Sequence, residues 1–207
     1  MTQPKTRNLP IETRAASVSS VAAEARTFVV VFTTGAGVER RDFWSGDRYV
    51  EELVVSDKAI NMARLAAGAP FLDNHNFRGS VAEQLGVIER AWVENGKGMA
   101  EVRFPKEGVD PVADAVFAKV ADGILRSVSV GYTRNKIEVD KSKDPNIWRV
   151  TRWTPHEISM VTIPADHKAQ VRTAAADEPC EFQILGTPSA AVAARSRMRL
   201  ALNRMMR

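Results

Sequence analysis

The sequence is poor in cysteine, in histidine and in long apolar runs. Its 207 residues include one cysteine, Cys180, so no disulfide can form within the chain and a reducing compartment is expected. The three histidines are too scattered for the ligand spacing of a structural zinc site. The longest strongly apolar run, FVVVF at residues 28–32, is far shorter than the roughly 20 residues of a transmembrane helix, and the N-terminal segment lacks the apolar region of a secretory signal. We therefore expect no metal, no cofactor, no membrane partner and no secretion signal.

Acidic residues are absent from the last part of the chain, where positions 188–207 contain five arginines. Helical spacing of the apolar residues there predicts an amphipathic helix with a basic side over residues 190–206. Such a helix could contact nucleic acid or an acidic protein surface, and a solvated helix face explains it equally well. A pI near 9.4 and four tryptophans suggest a rival hypothesis, a β-barrel that binds nucleic acid. Because tryptophans in amphipathic strands mostly pack in the core, we expect no nucleic-acid partner.

Composition divides the chain into three parts. Residues 1–26 are polar and lack a sustained period, which predicts a flexible N-terminal arm. Residues 27–173 alternate strand-like runs with short helical stretches and are predicted to form the folded domain. Residues 174–207 are first rich in alanine and turn residues, which predicts a linker that leads into the basic helix. Cys180 falls in this predicted linker and is therefore a poor candidate for a nucleophile.

Strands outnumber helices in the predicted domain. QLGVIERAWVE and MAEVRF flank Asn95 and Gly96, a strong short-range signal for a β-hairpin. VDPVADAVFAKVADG predicts the clearest helix, with a stripe of valines at positions 109, 112, 116 and 120 and Gly123 at its end. Many strands with two or three short helices predict an α+β, mainly β fold, either a β-barrel or a sandwich with helices packed outside.

The segment ILRSVSVGY, residues 124–132, predicts a strand with two serines on one face. Side chains alternate along a strand, so Ser127, Ser129 and Gly131 point away from the apolar face. A hydroxyl on a polar surface needs no special role, but a serine becomes a nucleophile when a base can take its proton. Ser129 is the better candidate, because Gly131 leaves room for a substrate backbone to approach. Ser127, one pleat away, is the alternative nucleophile.

A base and a group that orients it must come from elsewhere in the chain. His75 lies in PFLDNHNFRG, where an apolar strand end gives way to polar turn residues, a place where a side chain can be both rigid and accessible. The orienting group is sought in TPHEISMVTIP, where alternation predicts that His156 and Glu157 point to opposite faces. Only one of these two can then face the site, and the spacing does not choose between them.

Three segments, taken in order, resemble a known family. They are PFLDNHNFRGSVAEQLGVIERAWVENGKGMAEVRF, DGILRSVSVGY and WTPHEISMVTIPADHKAQVR. Together they look like the prohead proteases of tailed bacteriophages, the capsid-maturation serine proteases. That family shows an apolar-Asp-His element, then Ser-apolar-Gly-aromatic after a helix ending in glycine, then Glu-apolar-Ser-apolar-Val followed by Pro-Ala. The resemblance covers roughly residues 28–172, and the three motifs in order are specific where each alone is weak.

The resemblance implies a set of site residues and a fold. It makes His75 the catalytic base, Ser129 the nucleophile and Glu157 the acidic third member. It implies a fold related to the herpesvirus assembly proteases, a β-barrel surrounded by a few helices. Those enzymes use a second histidine as the third member, so His156 remains the alternative to Glu157. Backbone N–H groups or an arginine such as Arg126 would stabilise the oxyanion.

The resemblance also implies a function. The expected protein is a serine endopeptidase that cleaves capsid or scaffold protein, and itself, during prohead maturation. Its expected partners are the major capsid protein and a scaffold segment as substrates, together with further copies of itself. Its expected location is the host cytoplasm, inside the assembling procapsid. The alternative function is a non-catalytic module for capsid assembly or scaffolding, in which the serine has no chemical role.

Overall fold

Strands form most of the regular structure. The structure is a computed structural model and describes residues 5–9, 12–162 and 178–185. Its strands are β1 (Lys5–Leu9), β2 (Glu12–Ala22), β3 (Thr27–Thr33), β4 (Val38–Arg41), β5 (Arg48–Leu53), β6 (Pro70–Asp73), β7 (Gln84–Glu94), β8 (Lys97–Arg103), β9 (Ser127–Asp140), β10 (Asn146–Met160) and β11 (Glu178–Leu185). Its helices are α1 (Ala63–Ala66) and α2 (Pro111–Ala121), with a 3-10 turn at Val81–Glu83. The predicted α+β, mainly β class is confirmed.

The described strands belong to one mixed sheet, in the order β1-β11-β9-β2-β3-β8-β7-β6-β10-β5-β4, so β1 and β4 lie at its two ends. The two longest strands, β9 and β10, are also antiparallel neighbours over most of their length. Seven strands therefore follow one another as hydrogen-bonded neighbours, from β9 through β2, β3, β8, β7, β6 and β10 back to β9. This pairing brings segments far apart in the chain against the ladder of β9 and β10.

The hairpin between β7 and β8 follows from its turn residues. Asn95 and Gly96 have φ of +50° and +71°, both in the left-handed region that a two-residue type I′ turn requires. Glu94 pairs with Lys97 across the turn, and the ladder continues to Val87 and Arg103. The hairpin predicted from Asn-Gly is confirmed.

Helix α2 also begins and ends as its sequence predicts. The Asp110 side chain accepts hydrogen bonds from the backbone N–H groups of Val112 and Ala113, and Pro111 occupies the first turn. The buried residues are Ala113, Phe117 and Val120, whereas Val109 and Val112 are 70% and 56% exposed. The predicted valine stripe is therefore correct at Val116 and Val120, which pack in or against the core, and wrong at Val109 and Val112, because the helix starts at Pro111 and turns Ala113 and Phe117 inward. Within the residues that the structure describes, no helix is long and apolar enough to cross a membrane.

An aromatic core fills the space behind the sheet. The rings of Phe28, Phe71 and Phe104 contact one another with centroids 5.4 to 5.8 Å apart. Trp148 and Trp153 are buried, and the Trp153 indole donates a hydrogen bond to the Val54 carbonyl. These two tryptophans therefore belong to the core, as expected from their place in amphipathic strands.

A buried ionic cluster joins β4 and β5 to β9 on the apolar side of that strand. Glu51 is 0% exposed and accepts hydrogen bonds from Tyr132 Oη and from the guanidinium groups of Arg40, at 3.0 Å, and Arg134, at 3.2 Å. Arg134 also donates to Tyr49 Oη. A buried carboxylate is tolerated when donors surround it in this way, and removal of one partner is strongly destabilising. The cluster fixes β9 from the face opposite Ser129.

Strands are present in both of the segments that composition assigned to a flexible arm and a linker. Within residues 1–26, β2 pairs with β3 on one side and with β9 on the other, and β1 pairs with β11. Within residues 174–207, β11 pairs with β9, and its Cys180 is buried. The predicted flexible arm and linker are therefore corrected for these stretches. The predicted basic helix at 190–206 lies outside the described residues.

Candidate active site

The ladder between β9 and β10 lines up four small or polar residues. Ser129 lies directly opposite Ser159, and Gly131 lies directly opposite Glu157. Opposed residues in an antiparallel pair share one face and have Cα atoms about 4.5–5.5 Å apart. Ser129, Ser159 and Glu157 are all buried, with at most 5% of each residue exposed. The expected placement of Ser129 and Gly131 on one face is thus what the ladder produces.

His75 reaches this face from the turn that follows β6. Strand β6 runs parallel to β10, with Ser159 paired to Leu72 and Met160 paired to Asp73, so the chain enters the turn beside the end of β10. Asn74 and His75 then adopt φ of +49° and +59°. Such left-handed conformations are uncommon outside glycine, can cost on the order of 1–3 kcal/mol each, and cluster at functional sites.

Three hydrogen bonds hold this strained turn in place. The backbone N–H of Asn74 donates to the Met160 carbonyl at 2.9 Å, and the N–H of Asn76 donates to the Asp73 carbonyl at 3.0 Å. The backbone N–H of His75 donates to Ser159 Oγ at 3.1 Å. The turn is therefore fixed to the end of β10, and the imidazole is presented to the face that carries Ser129.

The imidazole and the Glu157 carboxylate are in direct contact. His75 Nδ1 lies 2.7 Å from Glu157 Oε1. The other carboxylate oxygen, Oε2, accepts a hydrogen bond from Ser159 Oγ at 2.5 Å. An imidazole whose Nδ1–H is held by a carboxylate presents Nε2 as a proton acceptor, which is the arrangement of a general base.

Two polar atoms at this face have no hydrogen-bond partner among the residues that the structure describes. Ser129 Oγ and His75 Nε2 are buried and make no hydrogen bond within the described part of the chain. A buried polar group without a partner costs about 1–3 kcal/mol and calls for an explanation in a native protein. These two atoms belong to Ser129 and His75, the residues that the resemblance in the sequence predicts as nucleophile and base.

His156 lies on the same face as Glu157, contrary to the predicted alternation. Strand β10 has an irregularity between Pro155 and Glu157, which pair with the consecutive residues Tyr132 and Gly131 of β9. The extra residue, His156, places its Nε2 3.0 Å from the Oγ1 of Thr133, two residues from Gly131 along β9. A bulge interrupts strand alternation in this way. Of the two residues, Glu157 contacts His75, and the His156 ring contacts Thr133.

The space beside Gly131 is filled by the protein itself. A Cβ at this position would lie within 3 Å of Glu157 Oε1 and 3.1 Å from its Cδ. The glycine therefore admits the Glu157 carboxylate. This differs from the reason expected from the sequence, which was room for a substrate backbone.

Two other predicted groups lie near the start of β9. Arg126, a candidate oxyanion donor, uses its Nε to donate to the Gly123 carbonyl at 2.5 Å, at the end of α2. Ser127, the alternative nucleophile, pairs through its backbone with Ser17 of β2, and its carbonyl accepts from the Val161 N–H at 3.0 Å. Neither contact involves His75.

The described residues contain no group of three or more His, Cys, Asp or Glu side chains that could hold a metal ion. Burial raises the pKa of the Cys180 thiol to about 11, so it is protonated at neutral pH. This chemistry is unfavourable for a nucleophile, as the sequence suggested, although the physical reason is a buried strand.

Comparison with known proteins assigns the family. Residues 51–181, more than half of the chain and including His75, Ser129 and Glu157, match the family described as caudovirus prohead serine protease. The chain belongs to this family of prohead serine proteases. A major capsid protein of Halomonas phage phiHAP-1 is 40% identical over 125 residues, which are 59% of this chain and 20% of that protein. The chain thus spans about a fifth of the length of this curated relative. No solved structure matches the chain significantly.

Membership of the prohead serine protease family confirms the resemblance found in the sequence. One residue of the site, Ser159, received no role from the sequence. Its signal was nevertheless present, because Glu157 and Ser159 are two residues apart on a strand and therefore share a face. The sequence could not indicate that the backbone N–H of His75 would donate a hydrogen bond to the Ser159 hydroxyl.

Proposed function

We propose that the protein is a serine endopeptidase that cleaves capsid or scaffold protein, and itself, during prohead maturation. Ser129 is the nucleophile, His75 is the general base and Glu157 orients the imidazole. The observation that carries this proposal is the pairing of His75 Nδ1 with Glu157 at 2.7 Å, while His75 Nε2 and Ser129 Oγ are both buried without a partner.

All three of these groups take part in the acylation step. Ser129 Oγ attacks the peptide carbonyl carbon, and its proton passes to His75 Nε2. The tetrahedral intermediate collapses, the C–N bond breaks, and the proton moves from Nε2 to the leaving amine. Glu157 stabilises the imidazolium that forms between these two transfers. Ser129 Oγ and His75 Nε2 make no hydrogen bond within the described residues, and we propose that substrate binding brings them into hydrogen-bond distance.

Deacylation reverses the roles. Water attacks the ester carbon and gives a proton to His75 Nε2, the bond between carbon and Ser129 Oγ breaks, and the proton returns to Oγ. The carboxyl product then leaves and the enzyme is restored. Backbone N–H groups or an arginine such as Arg126 would supply the oxyanion donors, each typically contributing about 10²–10³ in rate.

The proposed architecture is a barrel of the herpesvirus assembly-protease type. The circuit of seven strands that starts and ends at β9 supports it, since a sheet that returns to its first strand is the pairing pattern of a barrel. In this architecture β6 and β9 flank the part of β10 that carries Glu157 and Ser159, so the His75 turn and Ser129 approach the same end of that strand. Glu157 would replace the second histidine that the herpesvirus enzymes use.

The proposed substrates are capsid and scaffold proteins inside the assembling procapsid, in the host cytoplasm. The relative from phage phiHAP-1 supports this choice, because a segment 40% identical to this chain forms 20% of a protein named as a major capsid protein. A protease-like segment within a protein of that name supports capsid protein as the substrate. Further copies of the chain are proposed to associate inside the procapsid and to cleave one another.

The second candidate function is a non-catalytic assembly module, which the name of the same relative leaves open. In that case the face that carries Ser129 would bind capsid protein without cleaving it. The two functions differ in whether Ser129 is chemically reactive, so a test of reactivity separates them.

The test is covalent labelling of the purified full chain with a fluorophosphonate. The reagent esterifies an activated serine with loss of fluoride, and the mass increase locates the modified residue without knowledge of the natural substrate. We expect one equivalent of label on Ser129, loss of labelling in Ser129→Ala and His75→Ala, and retention of labelling in Ser127→Ala. New termini should appear when the protein is incubated with its capsid protein. A wild-type chain that neither takes up label nor generates new termini would leave only the assembly module.

A further inference from the structure

We infer that Ser159 is a positioning residue of the catalytic site, which fixes both the carboxylate and the backbone turn that together aim the imidazole. This inference rests on the proposed function. The Ser159 hydroxyl donates to Glu157 Oε2 at 2.5 Å and accepts from the His75 backbone N–H at 3.1 Å. One side chain thus contacts two of the three proposed catalytic residues, and it lies directly across the ladder from the third, Ser129.

The contact with Glu157 determines where the carboxylate points. A carboxylate that contacts His75 through Oε1 can still rotate about its last torsion, which is a soft degree of freedom. Oε2 is buried with the rest of Glu157, so rotation away from Ser159 would leave an ionised oxygen without a donor. The hydroxyl of Ser159 therefore holds the plane of the carboxylate in which Oε1 meets Nδ1.

The contact with the His75 backbone stabilises an unfavourable conformation. His75 has φ of +59°, and its N–H would be left without this acceptor if Ser159 lost its hydroxyl. The turn could then relax toward commoner backbone angles and move the ring away from the ladder. The same oxygen that orients the carboxylate thus also restrains the ring from its backbone side.

The direction of its hydrogen bond excludes Ser159 as a second nucleophile. Its proton is directed at Glu157 Oε2, whereas the unpartnered Nε2 of His75 is the atom that would accept a nucleophile's proton. Ser129 Oγ makes no hydrogen bond within the described residues. The two serines that face each other across the ladder therefore have different tasks.

The experiment compares two isosteric replacements in the full chain, Ser159→Thr and Ser159→Val. They have nearly the same shape, and only threonine keeps a hydroxyl, so any steric cost at this buried position is shared. The rate of fluorophosphonate labelling of Ser129 should be about 10- to 100-fold lower for Ser159→Val and close to the wild-type rate for Ser159→Thr. The control is Thr154→Val. It removes another hydroxyl of β10, one that donates to the Asn135 side chain, and should leave the labelling rate unchanged.

A spectroscopic measurement separates positioning from a general loss of structure. In protein with ¹⁵N-labelled histidine, the Nδ1–H proton of His75 should give a downfield resonance, because it is held by the carboxylate. This resonance should persist in Ser159→Thr and disappear or exchange rapidly in Ser159→Val, while both variants melt at similar temperatures. If labelling and resonance are the same in the two variants, Ser159 has no positioning role. If the wild-type chain takes up no label but the resonance still distinguishes the variants, the proposed function has failed, and Ser159 fixes the contact between His75 and Glu157 without serving catalysis.

Discussion

Replacing Gly131 with alanine should disable the site while leaving the fold intact. The added methyl carbon would lie within 3 Å of Glu157 Oε1 and 3.1 Å from its Cδ, closer than side chains tolerate. Gly131 is in the middle of β9 and has no left-handed φ, so alanine is compatible with its backbone. The clash must therefore be relieved by the Glu157 side chain, whose carboxylate is the movable part.

The expected loss follows from the contact that this movement breaks. A carboxylate displaced by the methyl group can no longer keep Oε1 at 2.7 Å from His75 Nδ1. Hydrogen bonds to charged groups contribute about 1.5–3 kcal/mol, which corresponds to a rate lower by about 10- to 150-fold. The folded state loses the same contact, so the free energy of unfolding should fall by about 1.5–3 kcal/mol, of which the restriction of the unfolded chain by alanine offsets about 0.4–1 kcal/mol.

The assay is the rate of fluorophosphonate labelling of Ser129, with a thermal melt of each variant. A double-mutant cycle with Glu157→Ala provides the control: once the carboxylate is gone, Gly131→Ala should cost nothing further. Wild-type labelling by Gly131→Ala, or an equal loss in both backgrounds, would show that the glycine does not act through Glu157.

Three further expectations concern the remaining candidates. Ser129→Ala should abolish cleavage of capsid protein while Ser127→Ala retains most of it, as measured by new termini; the opposite pattern would move the nucleophile by one pleat. Glu157→Gln should lower the labelling rate by orders of magnitude and His156→Ala should have little effect; a reversed result would favour the herpesvirus-type arrangement with two histidines. Burial raises the pKa of Cys180 to about 11 from 9.0, so its contribution to stability should fall as pH rises through that interval, and iodoacetamide should modify the native thiol at pH 8 much more slowly than the urea-unfolded one. Fast modification of the native protein would contradict the burial.

Local pattern was sufficient for the parts of this fold that depend on neighbours in the chain. The Asn95-Gly96 hairpin and the end of α2 before Gly123 each follow from one or two residues whose backbone preferences are strong. The strand that carries Ser129 follows from alternation alone. The expectation that this serine acts together with His75 came from the family resemblance, because no local sequence rule predicts it.

The geometry around Glu157 was beyond a reading of alternation for two physical reasons. A bulge at His156 interrupts the period of two, so parity along the strand no longer tells which side chain shares a face with which. The contact with His75 also depends on the parallel pairing of β6 with β10, between segments more than 80 residues apart in the chain. Strand pairings over such sequence separations depend on the packing of the whole sheet, so a local sequence pattern does not predict them.

The ends of the chain show the opposite error, in which composition suggested too little structure. β2 has the sequence ETRAASVSSVA, whose small and polar residues give no amphipathic signal. A strand with a neighbour on each side is nevertheless stabilised by backbone hydrogen bonds, which any sequence without proline can make. β2 pairs with residues 127–132 of β9, the segment that carries Ser129, and with β3 on its other side. A chain that began at residue 27 would therefore expose the backbone of the nucleophile strand along one edge, so the boundary predicted from composition cuts through the support of the candidate site.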